Sequence, residues 1–179
     1  AAYQGQDNYA VAIGYEASYS GSGSGSVAIG DGAGYSGVSS DAIAIGTSAQ
    51  NNGGGYGAIA LGAYAGEYSQ NDYSVALGYN AGNDGLGYRS VALGHYAARN
   101  GSGQRTISIG DSAGIGTPNE GAIAVGYYAG YNAGTNSVAM GYGALKANTT
   151  GVGNFAFGYL SLSANTTGQN NIALGCNAL

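Results

Sequence analysis

Apolar and small residues alternate in short bursts along this chain, and each burst is closed by a glycine. The first burst, Val11-Ala12-Ile13-Gly14, returns as Val27-Ala28-Ile29-Gly30, Ile43-Ala44-Ile45-Gly46 and Ile59-Ala60-Leu61-Gly62. It continues as Val75-Ala76-Leu77-Gly78, Val91-Ala92-Leu93-Gly94, Ile107-Ser108-Ile109-Gly110 and Ile123-Ala124-Val125-Gly126. Val138-Ala139-Met140-Gly141, Phe155-Ala156-Phe157-Gly158 and Ile172-Ala173-Leu174-Gly175 complete the series. Successive copies start 16 residues apart seven times, and then 15, 17 and 17 apart. Alternation with period two is that of a strand, whose successive side chains point to opposite faces. The closing Gly permits a backbone bend that a Cβ would resist. Three residues further on stands a small residue: Ala17, Ala33, Ala49, Ala65, Ala81, Ala97, Ala113, Ala129, Ala144, Ser161 and Ala178.

The intervening segments carry turn chemistry, as in Asn52-Gly53, Asn83-Asp84-Gly85, Asn100-Gly101 and Thr117-Pro118-Asn119. A period of 16 is too short for a helix pair or a propeller blade. It suits one coil of a β-solenoid, with two short strands and two tight turns. The pattern therefore predicts an all-β, parallel β-solenoid of eleven coils of about 16 residues, a single domain over residues 1–179. At about 4.8 Å per coil, the rod is on the order of 50 Å long.

One chain looks insufficient to cover such a strand. The outer positions are Val, Ile, Leu, Met or Phe, while the central one is Ala in every copy but one, which has Ser108. The preceding residue is small or a short polar one, from Ala10 and Ser26 to Asn154 and Asn171. Ala is depleted in strands, so its persistence implies a steric ceiling. Both faces are then covered, one by the second strand of the same coil and the other by a neighbouring chain. The economical arrangement is a narrow roll filled by Ala, Ser and Gly with the large apolar row turned outward; the reverse assignment is the alternative. Either way the outer positions form a continuous stripe whose exposure would invite aggregation and whose usual cover is a symmetric homo-oligomer. A monomeric solenoid with an ordinary core is the plainer reading.

Composition narrows the class further. The 179 residues include 37 Gly and 17 Tyr but one Pro, 4 Lys or Arg and 9 Asp or Glu. Low charge with 44% apolar residues does not fit a disordered tail. Gly has no period of three, which excludes collagen. The acidic balance argues against a nucleic-acid partner. No apolar run reaches the roughly 18–20 residues that span a bilayer. No charged-then-apolar leader opens the chain, so any secretion signal is expected to have been removed or to lie outside it. The first and last coils are bare where solenoids normally carry caps, which is what a fragment or an end-to-end stacking subunit would show.

The recurring Ser/Ala-Val-Ala-Ile-Gly-x-x-Ala unit resembles the head repeat of trimeric autotransporter adhesins, the YadA-like heads. The resemblance runs through nearly the whole chain. It implies a left-handed β-roll with three chains side by side, exposed at a cell surface and adhesive. The last two coils carry Asn148-Thr149-Thr150-Gly151 and Asn165-Thr166-Thr167-Gly168, which resemble repeats of phage and large-virus fibres. The alternative they imply is the shaft or receptor-binding segment of a virion fibre.

Little of the chain reads as catalytic. The carboxylates do not recur in register; Asp31 and Asp111 share a repeat position five coils apart, roughly 24 Å by the strand spacing and too far for an acid/base pair. His95, the only histidine, substitutes in a column otherwise rich in Tyr. Cys176, the only cysteine, takes that column in the last coil and reads as a free thiol, with an intersubunit disulfide as the lesser option. A turn such as Asn83-Asp84 is a weak calcium candidate, because calcium wants six to eight oxygens. Sequons start at Asn100, Asn148 and Asn165. Neither metal nor cofactor is expected.

Tyrosine exceeds what a scaffold needs. Tyr15, Tyr79, Tyr127, Tyr142 and Tyr159 follow the closing Gly directly, and Tyr64, Tyr96 and Tyr128 come one residue later. They read either as a ligand or fibre–fibre surface or as ladders that stabilise adjacent coils. The expectation is a non-enzymatic extracellular protein, structural and adhesive, forming a homotrimer or filament. Its outside partner would be a host surface protein or glycan.

Overall fold

The computed structural model describes residues 5–116 and 118–179. Among these, every apolar burst is a three-residue strand: β1 (Val11–Ile13), β2 (Val27–Ile29), β3 (Ile43–Ile45), β4 (Ile59–Leu61), β5 (Val75–Leu77), β6 (Val91–Leu93), β7 (Ile107–Ile109), β8 (Ile123–Val125), β9 (Val138–Met140), β10 (Phe155–Phe157) and β11 (Ile172–Leu174). They form one parallel sheet in chain order. Register is invariant, first residue on first and Ala on Ala, from Val11 opposite Val27 to Phe155 opposite Ile172. The sequence spacings of 15 and 17 leave it intact, because the turns absorb the odd residue. The chain is a β-solenoid.

Two strands per coil were expected, and the return side falls short of that. It holds a row of single-residue parallel bridges, Gln6 to Ser22 to Val38 to Gly54 to Gln70. Elsewhere the return side is turn, still tied to the next coil by backbone bonds such as Gly103 N–H to the Pro118 carbonyl at 2.7 Å. The reason is backbone conformation. Each coil passes several residues through the left-handed region, among them the residue just before the bridge, Gly21, Gly37, Gly53 or Ser69, and a left-handed residue breaks extended pairing. The Thr117-Pro118-Asn119 turn begins outside the described residues, while Pro118 is fully buried.

The core is thin and consists mainly of methyl groups. The central strand residue is fully buried in β2 to β10, as are the small residues three past each closing Gly, from Ala17 to Ser161. The open choice of faces is thereby resolved: Ala points in, and the large apolar row points out. Filling by Ala, Ser and Gly holds with additions. Val38, Leu86, Leu145 and Leu162 project inward from the return side. Gln50 and Gln70 do so too, joined by a bond from Gln50 Nε2 to Gln70 Oε1 at 2.9 Å. A Cβ on Gly54 would overlap the Gln50 amide, so glycine there makes the room the larger side chain fills. In the last coils the interior column is Asn: Asn165 Nδ2 donates to Asn148 Oδ1 at 3.2 Å, and Asn154 Nδ2 to the Gly168 carbonyl at 2.7 Å.

Candidate assembly interface

The outer face of the sheet follows from strand alternation. With Ala turned inward, both flanking residues of each strand must point away from the roll. Stacking on neighbours above and below covers part of each one. Even so, Leu61 and Leu93 in mid-rod keep 39% and 41% of their surface in contact with solvent, and Phe155 41%. All twenty-two expected stripe positions are exposed or half-buried, from Val11 to Leu174. The stripe therefore runs unbroken along the rod, one side chain wide on each flank of the Ala column.

Each strand is bordered by two further columns. Ahead of it stand Tyr9, Tyr73, Arg89 and Arg105 in some coils, and Gly121, Asn136, Gly153 and Asn170 in others; all are left-handed, with φ from +54° to +69°. Tyr56 and Tyr88 lie one residue earlier, and Tyr73 packs edge-on against both, with ring centroids 5.5 and 6.1 Å away. Behind the strand stands the Tyr column. Tyr127, Tyr142 and Tyr159 stack in sequence at 5.2 and 5.1 Å, and Tyr79 stacks on His95 at 5.6 Å. Tyr64, Tyr96 and Tyr128 sit half-buried in the left-handed turn that follows, with φ of +59°, +55° and +52°. Tyr64, Tyr79, Tyr96, Tyr127, Tyr128, Tyr142 and Tyr159 thus make ring contacts and stay exposed or half-buried.

Polar contacts at the borders are local. His95 Nδ1 lies 3.3 Å from Asp111 Oδ2, and Arg105 pairs with Glu120 one coil on. Tyr56 Oη donates to Asp41 Oδ2 at 2.6 Å. That bond, with the carboxylate charge beside it, raises the Tyr56 pKa above the ordinary phenol value. Glu16 acts likewise on Tyr15. Partial desolvation in the ladder comes first for Tyr127. Ahead of β9 to β11, where the border residues are small, the surface sinks into an open groove of about 600 Å³ lined by Thr135, Asn136, Val152, Gly153, Phe155 and Asn170.

The remaining candidates are placed as follows. Cys176 is exposed and free. Asn83 donates its side-chain amide to the Tyr64 carbonyl at 3.1 Å and to Glu67 Oε2 at 2.8 Å. Among the described residues no group of three His, Cys, Asp or Glu side chains can hold a metal ion. Asn100 is exposed, but the sequon at Asn148 is closed, since its side chain is buried and bonded to the Asn132 and Gly151 carbonyls. The buried Gln pair and Asn ladder escaped the sequence reading because polar residues between turns look solvated. The signal that could have found the Asn ladder is the Asn recurring 17 residues apart.

The family model for the YadA head domain repeat matches twice, at residues 69–81 and 133–145. Two coils of the chain are thus similar to the YadA head repeat. Each match holds one strand (β5 or β9), its closing Gly78 or Gly141, and the buried Ala81 or Ala144. YadA heads are adhesin-type structural β-rolls rather than enzymes, they belong to surface adhesins, and they form trimers. No curated protein and no solved structure matched the chain. Among the described residues no helix is long and apolar enough to cross a membrane.

Proposed function

We propose that this chain is an extracellular structural and adhesive rod in which three parallel copies pack their apolar stripes together. The observation that carries this reading is the outward Val/Ile/Leu row over an Ala-filled roll. The interior is already taken by the Ala column and the inward side chains of the return side, and water is a poor partner for a strip that spans eleven coils. Fully burying one such side chain is worth roughly 1.5–3 kcal/mol, and a copy of the same chain offers a strip of matching length. The Tyr ladders then become the lateral surface: rigid apolar rings with polar tips, suited to sugar rings or to protein.

Replacing Leu77 or Val91 by Asp tests the interface. Either variant should keep the far-UV spectrum of the parent and run as a single chain in light scattering. An unchanged assembled mass would remove the stripe from the interface. The rival reading, a shaft segment of a virion fibre, draws on the Asn-Thr-Thr-Gly coils and their interior Asn ladder. Electron micrographs of the source particles labelled for this chain separate a cell-surface location from a virion one.

A further inference from the structure

The chain has 17 Tyr but no Trp, one Met and one Cys, so phenol rings are its main one-electron donors. Their ring contacts fall into two kinds. Tyr19 and Tyr35 lie face to face, with centroids 4.9 Å apart and planes within 4° of parallel. Tyr142 lies nearly as flat between Tyr127 and Tyr159, at 5.2 and 5.1 Å with interplanar angles of 24° and 19°. Tyr56 with Tyr73, Tyr73 with Tyr88 and Tyr64 with Tyr79 instead meet edge to face, at 75°, 84° and 86°. The stacked rings belong to successive coils that backbone bonds hold at a fixed spacing. Ser18 N–H bonds the Ala33 carbonyl at 2.8 Å and Ser20 N–H the Tyr35 carbonyl at 2.9 Å, one on each side of Tyr19. Gly143 N–H bonds the Tyr127 carbonyl at 2.9 Å, and Leu160 N–H the Tyr142 carbonyl at 2.8 Å. Tyr127, Tyr142 and Tyr159 keep 44%, 48% and 49% of their surface in solvent, within reach of an oxidant.

Parallel stacking sets the ortho carbons (Cε) of one phenol over those of the next, whereas an edge-on ring turns only one edge to its neighbour's face. We infer that the stacked tyrosines are oxidative cross-linking sites, Tyr19 with Tyr35 and Tyr142 with Tyr127 or Tyr159. A haem peroxidase using hydrogen peroxide supplies the oxidation. Each phenol gives up one electron and its hydroxyl proton, and the resulting phenoxyl radical carries part of its unpaired spin on Cε. Two radicals couple through a new Cε–Cε bond, and the hydrogens on the joined carbons pass to the phenol oxygens as the rings regain aromaticity. In sum, two tyrosines lose one hydrogen each and one hydrogen peroxide becomes two waters. The dityrosine clamps one coil to the next. It closes a short loop in the unfolded chain and so favours the folded one, as a disulfide does. The coupling lies within one chain and does not depend on the self-association proposed above.

Peroxidase treatment of the full chain tests it, in a Cys176→Ser background that removes the competing thiol. The folded protein should gain dityrosine fluorescence, lose two hydrogen masses per link within a chain, and unfold at a higher urea midpoint. Tandem mass spectrometry should place the links at Tyr19–Tyr35 and at Tyr142, whereas oxidation of the urea-unfolded chain should scatter them. Links at the edge-on pairs, links between chains only, or the same map from folded and unfolded protein would each overturn the proposal. Tyr35→Phe with Tyr142→Phe keeps the stacked rings but removes their hydroxyls, and should abolish most of the fluorescence. Tyr64→Phe with Tyr73→Phe breaks the three edge-on pairs in the same way and should leave most of it. Equal losses in the two variants, or an undiminished yield in the first, would show that stacking does not direct the coupling.

Discussion

The closing glycine of each coil offers the sharpest test of how the coils are stacked. Gly46 has φ of +133°, and a Cβ built there would lie 2.5 Å from the Gly62 carbonyl oxygen and 2.6 Å from its carbon. Ordinary carbon–oxygen contacts need about 3.3–3.6 Å, so Gly46→Ala must drive coils three and four apart by roughly 1 Å. Gly53, on the return side of the same coil, is the control: its φ is +89°, and its nearest neighbour is the Gly37 oxygen at 3.9 Å. Both alanines carry the cost of a positive φ, about 1–3 kcal/mol. Only the first also stretches the 2.8 Å bonds from Gly62 N–H to the Ile45 carbonyl and from Tyr64 N–H to the Thr47 carbonyl, which adds about 1–3 kcal/mol. Urea unfolding followed by far-UV circular dichroism, at equal chain concentration, should rank Gly46→Ala well below Gly53→Ala and both below the parent. Equal midpoints for the two variants would refute the claim that backbone approach between coils, rather than local conformation, demands glycine.

Three further outcomes follow from individual side chains. Ser108 occupies the Ala column with its Oγ buried and unpartnered, so Ser108→Ala should raise stability by about 1 kcal/mol, read as a higher urea midpoint. Tyr142 stacks on two neighbours and Tyr159 on one; each aromatic pair is worth about 0.5–1.5 kcal/mol, so Tyr142→Ala should cost more than Tyr159→Ala in the same assay. Tyr56 has its folded pKa raised by Asp41, so its contribution is complete below the unfolded value near 10 and fades as pH climbs through the folded one. The stability gap between the parent and Tyr56→Phe should stay flat below pH 10 and shrink above it; a gap that widens there would contradict the sign.

The strands and their register were legible because one physical demand repeats at every coil. A flat strand with an Ala ceiling on its inner face leaves the same four-residue signature eleven times. The direction of Ala was less legible, since alternation separates two faces without saying which is inside. Only the width of the closed roll decides it. The return side was misread as a second strand because the residue just before each bridge, Gly21, Gly37, Gly53 or Ser69, is left-handed, and in the sequence such residues read only as the turns that flank a strand. Its inward side chains were missed for a related reason. Leu86 occurs singly, Leu145 and Leu162 share a column in two coils alone, and Gln50 with Gln70 is a cross-coil pair 20 residues apart, off the repeat period. The Tyr columns were visible as columns, but their stacking at about 5 Å depends on the coil spacing, which periodicity alone implies only indirectly.

The central claim is that the outward apolar row is the seat of assembly. Multi-angle light scattering of the purified chain at micromolar concentration tests it most directly. A mass three times that of the 17.5 kDa chain is the result expected. A stable, soluble species of 17.5 kDa, with Leu61, Leu93 and Phe155 facing water, would contradict it.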